Sequence, residues 1–213
     1  MYVPVIRARV SLALVATFLG LTALLHFIEP EFNSGRLISE YQLGRHGWMM
    51  SLAFCSFGLG AILLVQVIPP HLPTGSGRLG RRGLWLIAVA LFAAGLFPPS
   101  PTRPVVAYAH GISGLVVILA APIAFLLVGR SLAHEPAWSG TARYLRWATP
   151  LAWVGMLSFL GSVVVFGRRA AADPPMALDP AISISNRLMM ATYCLWFAVA
   201  AWGAARRRAR DAS

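Results

Sequence analysis

The segment HFIEPEFNSGRLISEYQLGRHGW, residues 26–48, holds the densest polar chemistry of the chain, with His26, Glu29, Glu31, Glu40, Tyr41, Arg45 and His46 in one short stretch. His110, Arg103, Arg168, Arg169 and Arg187 stand at or near the ends of apolar runs elsewhere. Histidines flanked by carboxylates are ligand types that zinc accepts. His26, His46 and His110 could ligate the ion, with Glu29 or Glu40 as the base on a bound water. The spacing does not select this chemistry, because there is no H-E-x-x-H string and no aspartate inside an apolar run. Axial haem ligation by His26 and His110 is a weaker expectation. An electron carrier wants histidines near both faces, and His71 and His134 read as loop residues. The primary expectation is therefore no cofactor, with zinc as the alternative.

Two non-catalytic readings compete for the same residues. In one, the cluster is a clasp: carboxylates pair with arginines, the histidines stay neutral and hydrogen-bonded, and the loop caps the protein. In the other, Glu29, Glu40, Tyr41, His46, Arg103, Arg168 and Arg187 contribute to a pocket for a lipid headgroup or small amphiphile, an anionic group going to Arg168, Arg169 or Arg187. The functional expectation is binding or sensing of a lipid or small envelope molecule. An intramembrane zinc-dependent hydrolase is the alternative. Small-solute transport ranks lower, because His110 is nearly the sole ionisable group deep in a span.

The elements that must position these residues follow from composition. Of 213 residues 58% are hydrophobic and only 12% charged, against roughly a quarter charged in a soluble domain. Mean hydropathy is +0.69, so far more apolar surface exists than one small core can hide, and a cytosolic enzyme and a disordered chain are both excluded. The net charge of +11 comes from 18 arginines with no lysine. They lie between apolar runs instead of on one basic face, so the expected partner is membrane lipid and not nucleic acid. Cys55 and Cys194 sit inside apolar runs and suggest neither a disulfide framework nor a thiolate metal site.

Apolar runs at about 10–28, 47–68, 83–98, 104–129, 147–167 and 187–205 each approach the ~20 residues that cross a hydrocarbon core. They predict an all-α, single-domain polytopic bundle of six helices, with a basic tail at 206–213. The first run is too long for a secretory signal and lacks a small-x-small cleavage site, so it is expected to be retained. The third is short; a re-entrant hairpin competes with a full crossing there. Six crossings put twelve arginines on one side: Arg7, Arg9, Arg78, Arg81, Arg82, Arg130, Arg143, Arg146, Arg206, Arg207, Arg208 and Arg210. The other side has six arginines balanced by five acidic residues. The positive-inside bias then puts both termini in the cytoplasm of a bacterial inner membrane. Pro122 lies inside the fourth run, where it frees a carbonyl and should kink the helix. Small pairs such as Ser56 and Gly60 should allow close helix contact.

The EPEFN and SEYQLGRHGW strings, the MMSLAF that follows, GLFPP after the third run, His110 and FGRR after the fifth resemble the prokaryotic six-helix membrane family catalogued as domain of unknown function 998. The resemblance covers nearly the whole chain and implies fold and topology; that family has no agreed activity. Arg168 and Arg169 depart from the acidic residue expected before an arginine there, which argues against a simple ion pair at that place.

Overall fold

The computed structural model describes residues 3–172 and 180–210, with side chains through 168 and from 180 to 206. Arg169, Asp173, Asp179 and most of the basic tail, as side chains, lie outside the described residues. Six long helices are present: α1 Val3–Ile28, α2 Gly47–Val67, α3 Gly75–Leu96, α4 Pro104–Leu132, α5 Ser139–Ala172 and α6 Pro180–Arg210. Three short 3-10 segments join them, Pro30–Phe32, Ile38–Leu43 and Pro136–Trp138, and no strand occurs among the described residues. All six long helices are long and apolar enough to cross a membrane. A helix satisfies its backbone within itself, which hydrocarbon requires. The surface agrees: Leu86, Val89, Ile112, Leu157 and Val164 are each more than half exposed, a cost in water and none against acyl chains. The protein is an all-helical, multi-pass membrane protein.

The helices run past the apolar windows that mark them in sequence. The clearest case is α3, which starts at Gly75 and carries Arg78, Arg81 and Arg82 in its first turns. It is one continuous helix of 22 residues, about 33 Å at 1.5 Å per residue, so the re-entrant alternative is replaced by a full-length rod. The N-terminus is set by Thr74, whose Oγ1 accepts the Gly77 N–H at 2.9 Å. Arg81 stays in the helix by reaching the Val65 carbonyl at the end of α2, 3.3 Å away.

Each helix packs against its chain neighbours, and α6 closes the ring onto α1. Short connections between long rods impose that up-and-down order. The ring is filled by aromatic side chains: Phe18 of α1 meets Phe54 and Phe57 of α2, and Phe57 meets Phe197 of α6 edge-on at 5.2 Å. Phe125 of α4 stacks on Trp196 at 4.2 Å. Small residues let the rods approach. A Cβ at Gly58 would press into the Phe92 backbone of α3 at 2.6 Å, and Ser11 of α1 donates to the Gly60 carbonyl at 2.7 Å.

Pro122 in α4 has no N–H for the carbonyl four residues earlier, that of Ile118. Tyr193 of α6 supplies the missing donor, its Oη 2.8 Å from Ile118 O. The proline thus creates an acceptor inside the bundle, and a neighbouring helix uses it. Tyr193→Phe should lower stability by about 1 kcal/mol. In a Pro122→Ala background, where the substituted residue has an N–H to give the Ile118 carbonyl, the same change should cost less than half as much. Thermal unfolding in detergent over this double-mutant cycle measures the coupling.

Candidate functional site

Pro30 stops α1, yet the Glu29 N–H still bonds Leu25 O at 2.9 Å, so the helical register runs to the last residue before the proline. The chain then folds back across the end of the bundle through Pro30–Phe32, a left-handed turn at Gly35 with φ 66°, and Ile38–Leu43, before the corner 44–46 launches α2. What fastens this lid is Arg187, near the start of α6. Its Nε donates to His26 Nε2 at 2.8 Å, Nη1 to Arg36 O and Ser183 O at 3.0 Å each, and Nη2 to Phe32 O at 2.8 Å and Tyr41 Oη at 3.5 Å. Five N–H groups thus meet five acceptors, none of them a carboxylate. His26 completes the arrangement through Nδ1, 2.9 Å from Thr22 O. Because Nε2 must accept from Arg187, the proton belongs on Nδ1 and the ring is neutral.

Adjacent contacts extend the fastening. Asn186 Oδ1 accepts the Ile38 N–H at 2.9 Å. Asn33 donates to His26 O at 2.9 Å and accepts from the Tyr41 hydroxyl at 2.5 Å. Tyr41 is fully buried, its ring against Phe32 and His26. Burial pushes its phenol above the usual value of 10, and the hydrogen bond and charge of Arg187 oppose that rise.

Glu29 is held separately. Its side chain is buried, 2% exposed, and Oε1 accepts both the His46 N–H at 2.5 Å and His46 Nδ1 at 3.0 Å. Oε2 has no partner and lies against the Cα of Gly44, where any Cβ would overlap the carboxylate. Gly44 therefore exists to admit Glu29. The residues His26 and Glu29, three apart in sequence, serve different neighbours: one faces α6, the other the start of α2. Glu40 is a local brace, accepting the Leu37 N–H at 2.6 Å and lying 3.7 Å from Arg36. The arginine beside Glu40 is thus its loop neighbour Arg36.

His110 does not join the other histidines. Its Nδ1 lies 2.7 Å from Phe97 O, at the C-terminus of α3, where last-turn carbonyls lack helical donors. Gln42 serves the same helix end, donating to Ala94 O at 3.1 Å and to Ser51 Oγ at 2.9 Å. Arg103 and Arg168 are exposed, Arg103 as the N-cap of α4. Among the described residues no group of three or more His, Cys, Asp or Glu is gathered to hold a metal. His26, His46 and His110 each turn to a different partner, and both nitrogens of His26 are engaged by protein groups.

Beneath the lid lies a cavity of about 280 Å³, bounded by Ile38 and Ser39 above, Phe54, Leu91, His110, Phe159 and Met189 around it, and Asn186 beside α6. Gly111 and Gly114 of α4 form part of its wall, with nothing within 4 Å of where a Cβ would stand. Leu115, also on that wall, is 55% exposed, so the cavity opens toward the surface that lipid covers. Sequence reasoning named neither Asn33, Gln42 nor this cavity. The available signal was the Asn186–Arg187 pair opening an apolar run, expensive in lipid unless both side chains are used.

The family model described as "Protein of unknown function (DUF998)" matches residues 8–203, nearly the entire chain. The chain belongs to the DUF998 family. No curated protein and no solved structure matches it. The DUF998 match begins inside α1 and ends inside α6, so it takes in all six helices and the whole lid.

Arg187→Lys should not replace the arginine, because three donors on one nitrogen cannot serve five acceptors spread over helix and loop. A loss of about 2–3 kcal/mol is expected, with tryptic cleavage after exposed Arg36 accelerating at least roughly tenfold. Gly44→Ala should cost about 2 kcal/mol by displacing Glu29. Glu40→Gln should change stability by less than about 1 kcal/mol, since its ion pair is long and half exposed. Thermal unfolding of the three variants checks the order.

Proposed function

We propose that this protein is a bacterial inner-membrane component that binds an amphiphile in the cavity under the 29–46 lid, with the lid outside and both termini in the cytoplasm. The arginine distribution supports the orientation. The observation that carries the ligand reading is the cavity itself, apolar around most of its wall, open to the lipid side, and furnished with a few polar groups. At about 280 Å³ it suits a short or single apolar chain segment and excludes a whole two-chain lipid.

The polar end of the ligand follows from the donors that remain. Asn186 spends Oδ1 on the Ile38 N–H, so its amide nitrogen is the donor left to face the cavity. Every N–H of Arg187 already has an acceptor within the protein, which argues against the anionic headgroup expected there. A neutral accepting group, an ester, amide or alcohol, fits this set better than a phosphate or carboxylate. In this reading Ile38 and Ser39 of the lid face the ligand, while Glu29, Tyr41, His46 and Arg187 hold the lid in place over the cavity.

Gly114→Leu puts a side chain on the cavity wall, where nothing lies within 4 Å of the position its Cβ would take. Purified from its own membrane, the wild-type protein should carry a small amphiphile that survives detergent exchange, identified by mass spectrometry of the extracted complex. The variant should lose it with its melting temperature kept. Equal retention by both proteins would remove the binding reading. For the orientation, single cysteines at exposed Ser34 and Ser76 should behave oppositely toward a membrane-impermeant maleimide added to intact cells. Ser34 should label and Ser76 should not.

A further inference from the structure

At the opposite end of the bundle, between the start of α5 and the last turns of α6, lies a larger cleft of about 690 Å³. Its wall carries Ser139, Thr141, Arg143 and Tyr144 from α5 and Trp202 and Arg206 from α6. The Arg206 guanidinium stands 4.2 Å from the centre of the Trp202 ring, and Arg143 lies 5.3 Å from that of Tyr144. The two rings meet edge-on at 5.6 Å, so the aromatic pair brackets the cleft and holds both cations beside it. Among the described residues neither guanidinium has a carboxylate within ion-pair distance or a hydrogen bond to protein. This contrasts with Arg187, whose donors are all consumed.

A third group also lacks a partner. Thr141 is 8% exposed, yet its hydroxyl makes no hydrogen bond among the described residues and lies on the cleft wall. It stands near the start of α5, which runs on directly from the Pro136–Trp138 segment. Two guanidiniums without a protein partner and the buried Thr141 hydroxyl together are the donor set of a phosphate site. Depth decides the source of the phosphate. Trp147, one turn from Arg143 and 75% exposed, marks the level of the membrane–water boundary, and apolar Leu151 and Val154 continue below it toward the acyl region.

We infer that this cleft binds the headgroup phosphate of an anionic phospholipid in the leaflet on the arginine-rich side. The phosphate sits between Arg143 and Arg206 and accepts from Thr141, while the acyl chains run down the exposed face of α5. The site is separate from the lid cavity and stands or falls independently of it.

The test uses the full chain in nanodiscs of phosphatidylcholine, titrated with short-chain phosphatidylglycerol and read by tryptophan fluorescence and native mass spectrometry. Arg143→Gln with Arg206→Gln should weaken phosphatidylglycerol binding at least roughly tenfold, whereas Arg146→Gln, an exposed arginine outside the cleft, should change it less than about twofold. Thr141→Val removes one donor with no change of charge and should weaken binding about three- to fivefold; it carries the test if the double variant does not fold. Equal effects of the double variant and Arg146→Gln would show a diffuse charge attraction and overturn the site, as would a neutral Thr141→Val. Competition by millimolar inorganic phosphate as strong as that by the lipid would assign the cleft to free phosphate and overturn the lipid assignment.

Discussion

Hydrocarbon offers no solvent for an unused hydrogen-bonding group, and Arg187 is where this protein meets that constraint most fully. A guanidinium at the mouth of a helix bundle must either reach water or find acceptors for five N–H groups. Here it finds them in the loop that lies over the bundle and on α1 and α6, so one side chain of α6 holds carbonyls from residues 32, 36 and 183, the ring of His26 and the hydroxyl of Tyr41. Removal of the cation would take a donor from several part-buried acceptors at once. The loop is therefore a folded lid and not a linker, and its shape is set by where α6 places one residue.

The same requirement explains contacts that look unrelated. Pro122 deprives Ile118 of a donor, and Tyr193 returns one. The end of α3 leaves carbonyls unpaired, and His110 and Gln42 come from two other segments to meet them. Ser11 bonds a carbonyl of α2 across a helix interface. In each case a backbone group freed by a helix end or a proline, or offered at a close crossing, fixes how neighbouring rods sit. Aromatic packing supplies the bulk of the interior, but these bonds select one arrangement of six similar greasy cylinders.

The fold was legible in the sequence for a plain reason: a ~20-residue apolar run has few destinations other than a membrane span. Helix ends were less so. Arg81 lies within α3 because a backbone ladder continues regardless of side-chain polarity, provided the arginine has an acceptor, and Val65 O is invisible in a one-dimensional pattern. The site was legible as composition and illegible as pairing. The strings around Glu29 and Arg187 announced expensive polar groups at one end of the bundle, and the clasp reading foresaw that the histidines would be hydrogen-bonded. It assumed that carboxylates would hold the arginines. Glu29 instead binds the backbone and ring of His46, and Arg187 binds carbonyls, because charge complementarity in sequence says nothing about which helix faces which.

The two ends of the bundle treat arginine differently, and that difference has functional content. An arginine with every donor spent is a structural element, and its charge is already dispersed over protein dipoles. Arg143 and Arg206 lie over aromatic rings, a cation–π contact that does not consume their N–H groups. A guanidinium held over a ring keeps its donors free, which suits an anion receptor. If positive charge served only to orient the chain in the membrane, its side chains would have no need of rings to hold them or of a buried threonine beside them. Topology alone accounts for the number of arginines at that end; it does not account for the placement of these two over rings.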